Sequence, residues 1–340
     1  MVRFSSCFAA LILIQPACAQ DDNVAKFFAG KRITLIAAAS TGGGYDLYAR
    51  LLATHMPRYI PGNPAITVQN MPGAEGIMAA NHLYNVAPKD GTVFAGLQRN
   101  TGLTSFYQPD HPGPRFDPRK FTWLGSPQQE IGLLIVRTAT GVRSVEDLKT
   151  NEITVSSSTR NAPSSIYPRL LNATYGSKLR PIEGYDGAQG TLLAVERGET
   201  DSHASGGSSA SFRARYRPWE KAGQAKVILQ LGMVRDREYP DIPTALEIVP
   251  EGEARQMFEI VFAEQVMGRP FVLPPGMPQD RVEAMRHAFD ETMKDKDFLE
   301  EASRRGAEID PVSGAQINAL LDRVFATPPA LAQRIRDIIK

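Results

Sequence analysis

The apolar positions of the chain fall into short runs separated by glycine-rich or polar breaks. Residues 32–39 (Arg-Ile-Thr-Leu-Ile-Ala-Ala-Ala) are almost continuously apolar, the pattern of a strand covered on both faces in a parallel sheet. Thr41-Gly42-Gly43-Gly44-Tyr45-Asp46 interrupts the run, and Leu47, Leu51 and Leu52 then recur at helical spacing. The unit is strand, glycine loop, helix. It repeats at once: Ala65–Gln69 reads as a strand, Asn70–Gly76 as a loop, and Ile77–Asn85 as a helix with Ala80, Leu83 and Tyr84 on one side. Pro88-Lys89-Asp90-Gly91 then turns the chain into a strand at Thr92–Leu97. Such alternation predicts an α/β domain with a mainly parallel sheet.

Residues 107–120 are proline-rich and aperiodic, a surface loop, and the grammar restarts after Trp123-Leu124-Gly125. Strands are predicted at Leu133–Arg137, Ile153–Ser157 and Leu179–Tyr185, with Ser144–Asp147 as a helix cap after the first. Pro163 suits the first turn of a helix carrying Ile166, Leu170 and Leu171. Asp186–Gly190 leads into another helix, closed by Gly198, and Asp201–Ala204 is a short strand. Lys226–Leu231 and Glu259–Leu273 read as connections back toward the first lobe, and Arg281–Met293 and Ile317–Ile339 as amphipathic helices. The chain is expected to start one lobe over residues 20–125, build a second over 126–235, and return over 236–340 to finish the first with its C-terminal helices. Two lobes joined by crossing strands leave a cleft between them.

The first nineteen residues fall outside that scheme. Arg3 is the only charge before Asp21, Phe8–Ile14 is an apolar run too short to span a bilayer, and Ala17-Cys18-Ala19 is a small-x-small cleavage pattern. The expectation is a secretory signal, residues 1–19, and a periplasmic product starting at Gln20; a lipidated Cys18 is the alternative. Both cysteines, Cys7 and Cys18, lie in this segment, so a disulfide-built scaffold is excluded.

Lys and Arg number 38 against 37 Asp and Glu in 340 residues, and so near-neutral a chain lacks the footprint of a nucleic-acid binder. The five histidines show no metal-ligand spacing, so neither a metal nor another cofactor is expected. Gly42–Gly44 is not a dinucleotide fingerprint, because its third glycine would fall at Leu47, and no phosphate-loop motif appears. Ser205–Ser209 does not match a nucleophile elbow. His203 beside it is read as a strand-end polar residue rather than a base, and Glu75 and Glu130 form no evident acid/base pair.

What remains is a set of loops. In open α/β sheets, ligands bind beyond the carboxyl ends of strands, and loops 41–46, 70–76, 157–165 and 185–190 there are rich in Gly, Ser and Asn. Backbone N–H groups turned to one point, with a helix N-terminus behind them, make an anion site without a cation. Taken alone, Gly42–Gly44 is equally a tight strand–helix turn. Asp46 is read as capping N–H groups. Arg160, among small polar residues, is either a bidentate carboxylate clamp or a solvated loop arginine.

Several motifs also occur in a familiar order: Ile-Thr-Leu-Ile (33–36), Gly-Gly-Gly-Tyr-Asp-Leu-Tyr-Ala-Arg (42–50), Val-Gln-Asn-Met-Pro-Gly-Ala-Glu-Gly (68–76) and Ala-Pro-Lys-Asp-Gly-Thr (87–92). Tyr-Asp-Gly-Ala (185–188), Arg-Gly-Glu-Thr-Asp (197–201), Tyr-Pro-Asp-Ile-Pro-Thr (239–244) and Leu-Pro-Pro-Gly-Met-Pro (273–278) continue it. The chain resembles the Bug-type receptors, the extracytoplasmic substrate-binding proteins of tripartite tricarboxylate transporters. The resemblance implies a two-lobed type II periplasmic-binding fold closing on a small carboxylate, no enzymatic activity, a monomer, and membrane transporter subunits as partners. A receptor feeding a sensor kinase, or a secreted hydrolase, are the alternatives. Carried over by motif, first-lobe contacts would come from Thr41, Gly42, Gly43, Gly44, Asn70, Gly73 and Gly76. Those of the second lobe would come from Ser157, Ser158, Asn161, Ser164, Asp186, Gly187 and Ala188, with Arg160 added outside the motif as a fixed cation for one carboxylate. Tyr45, Glu75 and Arg160-Asn161 depart from the family pattern, so its dicarboxylates do not transfer as the specific substrate.

Overall fold

A computed structural model describes residues 18–160, 162–206 and 210–339; the signal-segment reading up to residue 17 and Asn161 lie outside them. Eleven strands occur among the described residues: β1 (Arg32–Ala37), β2 (Ala65–Asn70), β3 (Val93–Gly96), β4 (Thr122–Ser126), β5 (Gly132–Arg137), β6 (Ile153–Ser156), β7 (Leu179–Ile182), β8 (Ser202–Gly206), β9 (Ala225–Leu231), β10 (Phe271–Leu273) and β11 (Val312–Ser313). They form two sheets, ordered β11-β4-β10-β3-β1-β2 and β7-β6-β8-β5-β9.

The two-residue repeat of a strand explains how one apolar run builds two layers. From β1, Ile33, Leu35 and Ala37 enter a core shared with Leu51 and Leu52 of the helix Gly44–His55 and with Val282 and Met285 of the helix Gln279–Thr292. Ile36 and Ala38 enter the opposite core, with Ala79, Ala80 and Leu83 of the helix Ile77–Asn85. β5 divides likewise: Leu133 and Ile135 meet Phe212 and Tyr216, whereas Leu134 and Val136 meet Val155, Tyr167 and Leu170. Each fully buried side chain of this size contributes about 1.5–3 kcal/mol. A one-residue slip would turn both sets onto the wrong faces.

The sheets are mixed rather than mainly parallel. β1 runs parallel to β2 and β3, and β6 to β7 and β8. β5 and β10, the first strands after each crossing between sheets, run antiparallel to both their neighbours. A chain leaving one lobe through β4 enters the next in the reverse sense, which the strand–loop–helix grammar does not encode. The apolar stretch 317–339 is likewise two helices, Gly314–Phe325 and Pro329–Ile339, because Pro328 and Pro329 interrupt it. The last of these packs on the helix Pro163–Tyr175 behind the second sheet.

The crossing segments lie side by side between the sheets. Glu130 N–H donates to Gln265 O at 2.9 Å, and Arg269 N–H donates to Ser126 Oγ at 2.9 Å. Gly268 has φ +39°, and a Cβ there would sit 1.9 Å from the carbonyl oxygen of Gln128. Only glycine permits that approach.

Candidate functional site

The first-lobe glycine loop is tied down from behind. Asp46 is buried; its Oδ2 accepts from Gly42 N–H and Arg50 Nε, both at 2.9 Å, and its Oδ1 accepts from Asn70 Nδ2 at 2.8 Å. Burial opposes its ionisation, yet these hydrogen bonds from Arg50, Gly42 and Asn70 outweigh it and bring the carboxyl down to about 2. Asp46 therefore grips the loop ahead of its own helix. Asn70 Nδ2 also donates to Ala39 O, and its Oδ1 accepts from Thr41 Oγ1 at 3.2 Å. Thr41 and Asn70 thus spend hydrogen bonds on shaping the loop.

The next loop is strained. Gly73, Ala74, Glu75 and Gly76 all have positive φ, at 131°, 46°, 51° and 87°. Two consecutive non-glycine residues in that region cost about 1–2 kcal/mol each, and the turn delivers Glu75 to the cleft. Its Oε2 accepts from Asn100 Nδ2 at 2.9 Å.

In the second lobe, Ser157 and Ser164 are buried and hydrogen-bond each other at 2.8 Å. Asp186 precedes the helix Gly187–Arg197, where Gly187 takes φ +55° and Ala188 follows. Arg160 is exposed, and its carbonyl accepts from Arg169 at 3.1 Å.

Between the lobes lies a cavity of about 780 Å³. Of the residues singled out for ligand contact from the sequence, Ser158 lines it, together with Tyr45 and Glu75, flagged there as departures. The other named positions among the described residues are absent from its lining. Thr159, Ala162 and Pro163 of the loop 157–165 also line it, whereas its charged wall comes from residues no motif indicated: Arg99 beyond β3, Glu130, Glu264 and Arg269 on the crossing segments, and Arg336 on the last helix. Arg99 pairs with Glu130, and Arg269 reaches the same carboxylate at 2.7 Å. The Arg269 guanidinium also lies 4.5 Å over the Tyr45 ring and within 3.7 Å of where a Cβ on Gly44 would stand. Gly44 leaves room for it. Arg99 sits at a strand's carboxyl end and was open to the strand-end rule; nothing local marks Glu130, Glu264 or Arg269.

Two further groups are unusual. Glu264 is buried and accepts from Tyr167 Oη at 3.1 Å, and burial raises its pKa. His203, read from the sequence as a strand-end polar residue, is buried on β8 and packs on Phe212 with ring centroids 5.0 Å apart. Burial pushes its pKa down to about 4, and Nδ1 has no hydrogen-bond partner. Among the described residues there is no group of three His, Cys, Asp or Glu placed to hold a metal ion, and no helix long and apolar enough to cross a membrane.

No protein-family model matches the chain. It is 21% identical over 276 residues to a UPF0065 protein of Bordetella bronchiseptica, covering 80% of this chain and 76% of that one. A TctC solute-binding protein from Polaromonas superposes with a TM-score of 0.69 at 17% identity, over 91% of this chain and 98% of that one. MatC from Rhodopseudomonas palustris, solved with bound malate, superposes with a TM-score of 0.57 at 18% identity, over 91% and 99%. The fold is the two-lobed type II fold of these periplasmic binding proteins, and in sequence the chain is similar to the UPF0065 protein.

Proposed function

We propose that this chain is a periplasmic receptor that captures a small carboxylate between its lobes and delivers it to a tripartite tricarboxylate-type transporter. It acts as a monomeric binding protein, without a cofactor and without chemistry of its own. The observation that carries this reading is the pair of guanidinium groups, Arg99 and Arg269, in the wall of a 780 Å³ interlobe cavity. A cavity of that size suits a small molecule, and fixed guanidinium groups suit a carboxylate. The malate held by the MatC neighbour supports the same ligand class, and the signal pattern of residues 1–19 supports export. A ligand touched from both lobes stabilises whichever form lets both touch it.

Titration calorimetry against a panel of mono- and dicarboxylates is expected to give saturable binding, with a more compact particle by small-angle scattering in the bound form. No heat with any carboxylate, and no acid co-purifying in native mass spectrometry, would overturn the proposal. Delivery is tested by uptake of the labelled acid in cells carrying the membrane subunits, with and without this chain.

A further inference from the structure

The charge of the cavity wall bears on which carboxylate enters. Its described lining carries Arg99, Arg269 and Arg336 against Glu75, Glu130 and Glu264. Formally they cancel. Burial works against the ionised form of Glu264, which leaves the wall at most about one positive charge in excess. That excess complements one carboxylate. A second carboxylate would enter uncompensated, near Glu75 and Glu264, and an unpaired charge out of water is costly.

Two buried polar atoms on this wall lack partners. Nε of Arg269 is one, on a side chain already fixed by Glu130 and Tyr45. Nδ1 of His203 is the other, on a buried ring that packs on Phe212; Phe212, Leu192 and Ile166 also line the cavity. Buried polar groups of this kind normally find a partner, and a bound ligand is one way to supply it. The first sits at the charged junction of the lobes. The second sits on an apolar wall.

We infer that the cleft selects a monocarboxylate with an apolar or aromatic body and a neutral hydrogen-bonding group, such as a hydroxyl, remote from the carboxylate. Arg269 takes the carboxylate, Ile166, Leu192 and Phe212 take the body, and His203 meets the neutral group. This rests on the carboxylate-receptor reading and narrows it. His203 serves as a neutral partner, because its surroundings keep the imidazole uncharged at neutral pH.

Calorimetry with matched pairs tests it. Hexanoate is expected to bind at least about tenfold more tightly than adipate, which differs by one terminal carboxylate. The compound 3-(4-hydroxyphenyl)propionate is expected to exceed 3-phenylpropionate, and His203→Leu to abolish that preference while leaving 3-phenylpropionate binding in place. Arg269→Gln is expected to weaken all of them by about ten- to a hundredfold, the loss of a charged hydrogen bond. Arg269→Lys controls for folding and recovers part of the loss. Adipate binding more tightly than hexanoate overturns the inference and leaves the receptor reading standing; a hydroxyl preference that survives in His203→Leu overturns the role of His203. Failure of every carboxylate removes the receptor reading itself.

Discussion

Asp46 and His203 both hold fewer protons folded than unfolded, and for different reasons. Asp46 is kept ionised by Gly42, Arg50 and Asn70 despite burial, with its carboxyl at about 2 against an ordinary 3.8. His203 is kept neutral by burial, at about 4 against 6.5. In each case the unfolded chain takes up protons first as the pH falls. Stability from His203 is complete above pH 6.5 and is lost as pH falls toward 4; that from Asp46 is complete above 3.8 and is lost toward 2. Urea midpoints measured from pH 8 to 3 are expected to decline across the upper window, and His203→Phe to flatten that decline. Of these residues, Asp46 was legible in part: it accepts from a backbone N–H as read, but from Gly42 ahead of the helix, whose N-cap Gly43 has no side-chain cap. The environment of His203 was not: a lone histidine carries no signal for what will bury it.

At the scale of elements, the glycines divide by geometry. Gly43 has φ −82°, and a Cβ there would meet only Ser40 O, at 3.7 Å. Gly268 combines positive φ with a backbone oxygen inside the space a Cβ needs. Gly43→Ala is therefore expected to shift unfolding free energy by no more than about 0.5 kcal/mol. Gly268→Ala is expected to cost at least about 1–3 kcal/mol from conformation alone, before the clash with Gln128. Denaturant curves on the two variants check this. Strands β1 to β3 and the helices Gly44–His55 and Ile77–Asn85 could be read from apolar period and loop composition. β10 and β11 could not, since two- and three-residue strands carry no period and exist through the neighbours that pair with them.

For the whole molecule, the repeated strand–loop–helix grammar made two lobes legible, yet it was silent on what the last helix covers. Amphipathic spacing says that one face is buried, not against which element. Ile335 of that helix is fully buried in the core shared with Leu170 and Tyr167, and its neighbours Arg336 and Ile339 reach the cavity. Ile335→Ala is expected to cost about 2–5 kcal/mol and to lower hydrogen-exchange protection in the helix Pro163–Tyr175; protection unchanged there would show that the two helices are energetically separate. The proposed function requires the lobes to rotate about the crossing segments, where Gly268 approaches Gln128, and rotation about such an axle becomes travel in proportion to distance from it. Dyes set at the outer rims of the lobes would convert each opening into a change in energy transfer, while a pair set beside Gln128 would register almost nothing. Beyond Cys18 the chain contains no cysteine, so in a chain starting at Gln20 two introduced thiols would be the only reactive ones, and the protein would serve as an optical gauge of its own opening.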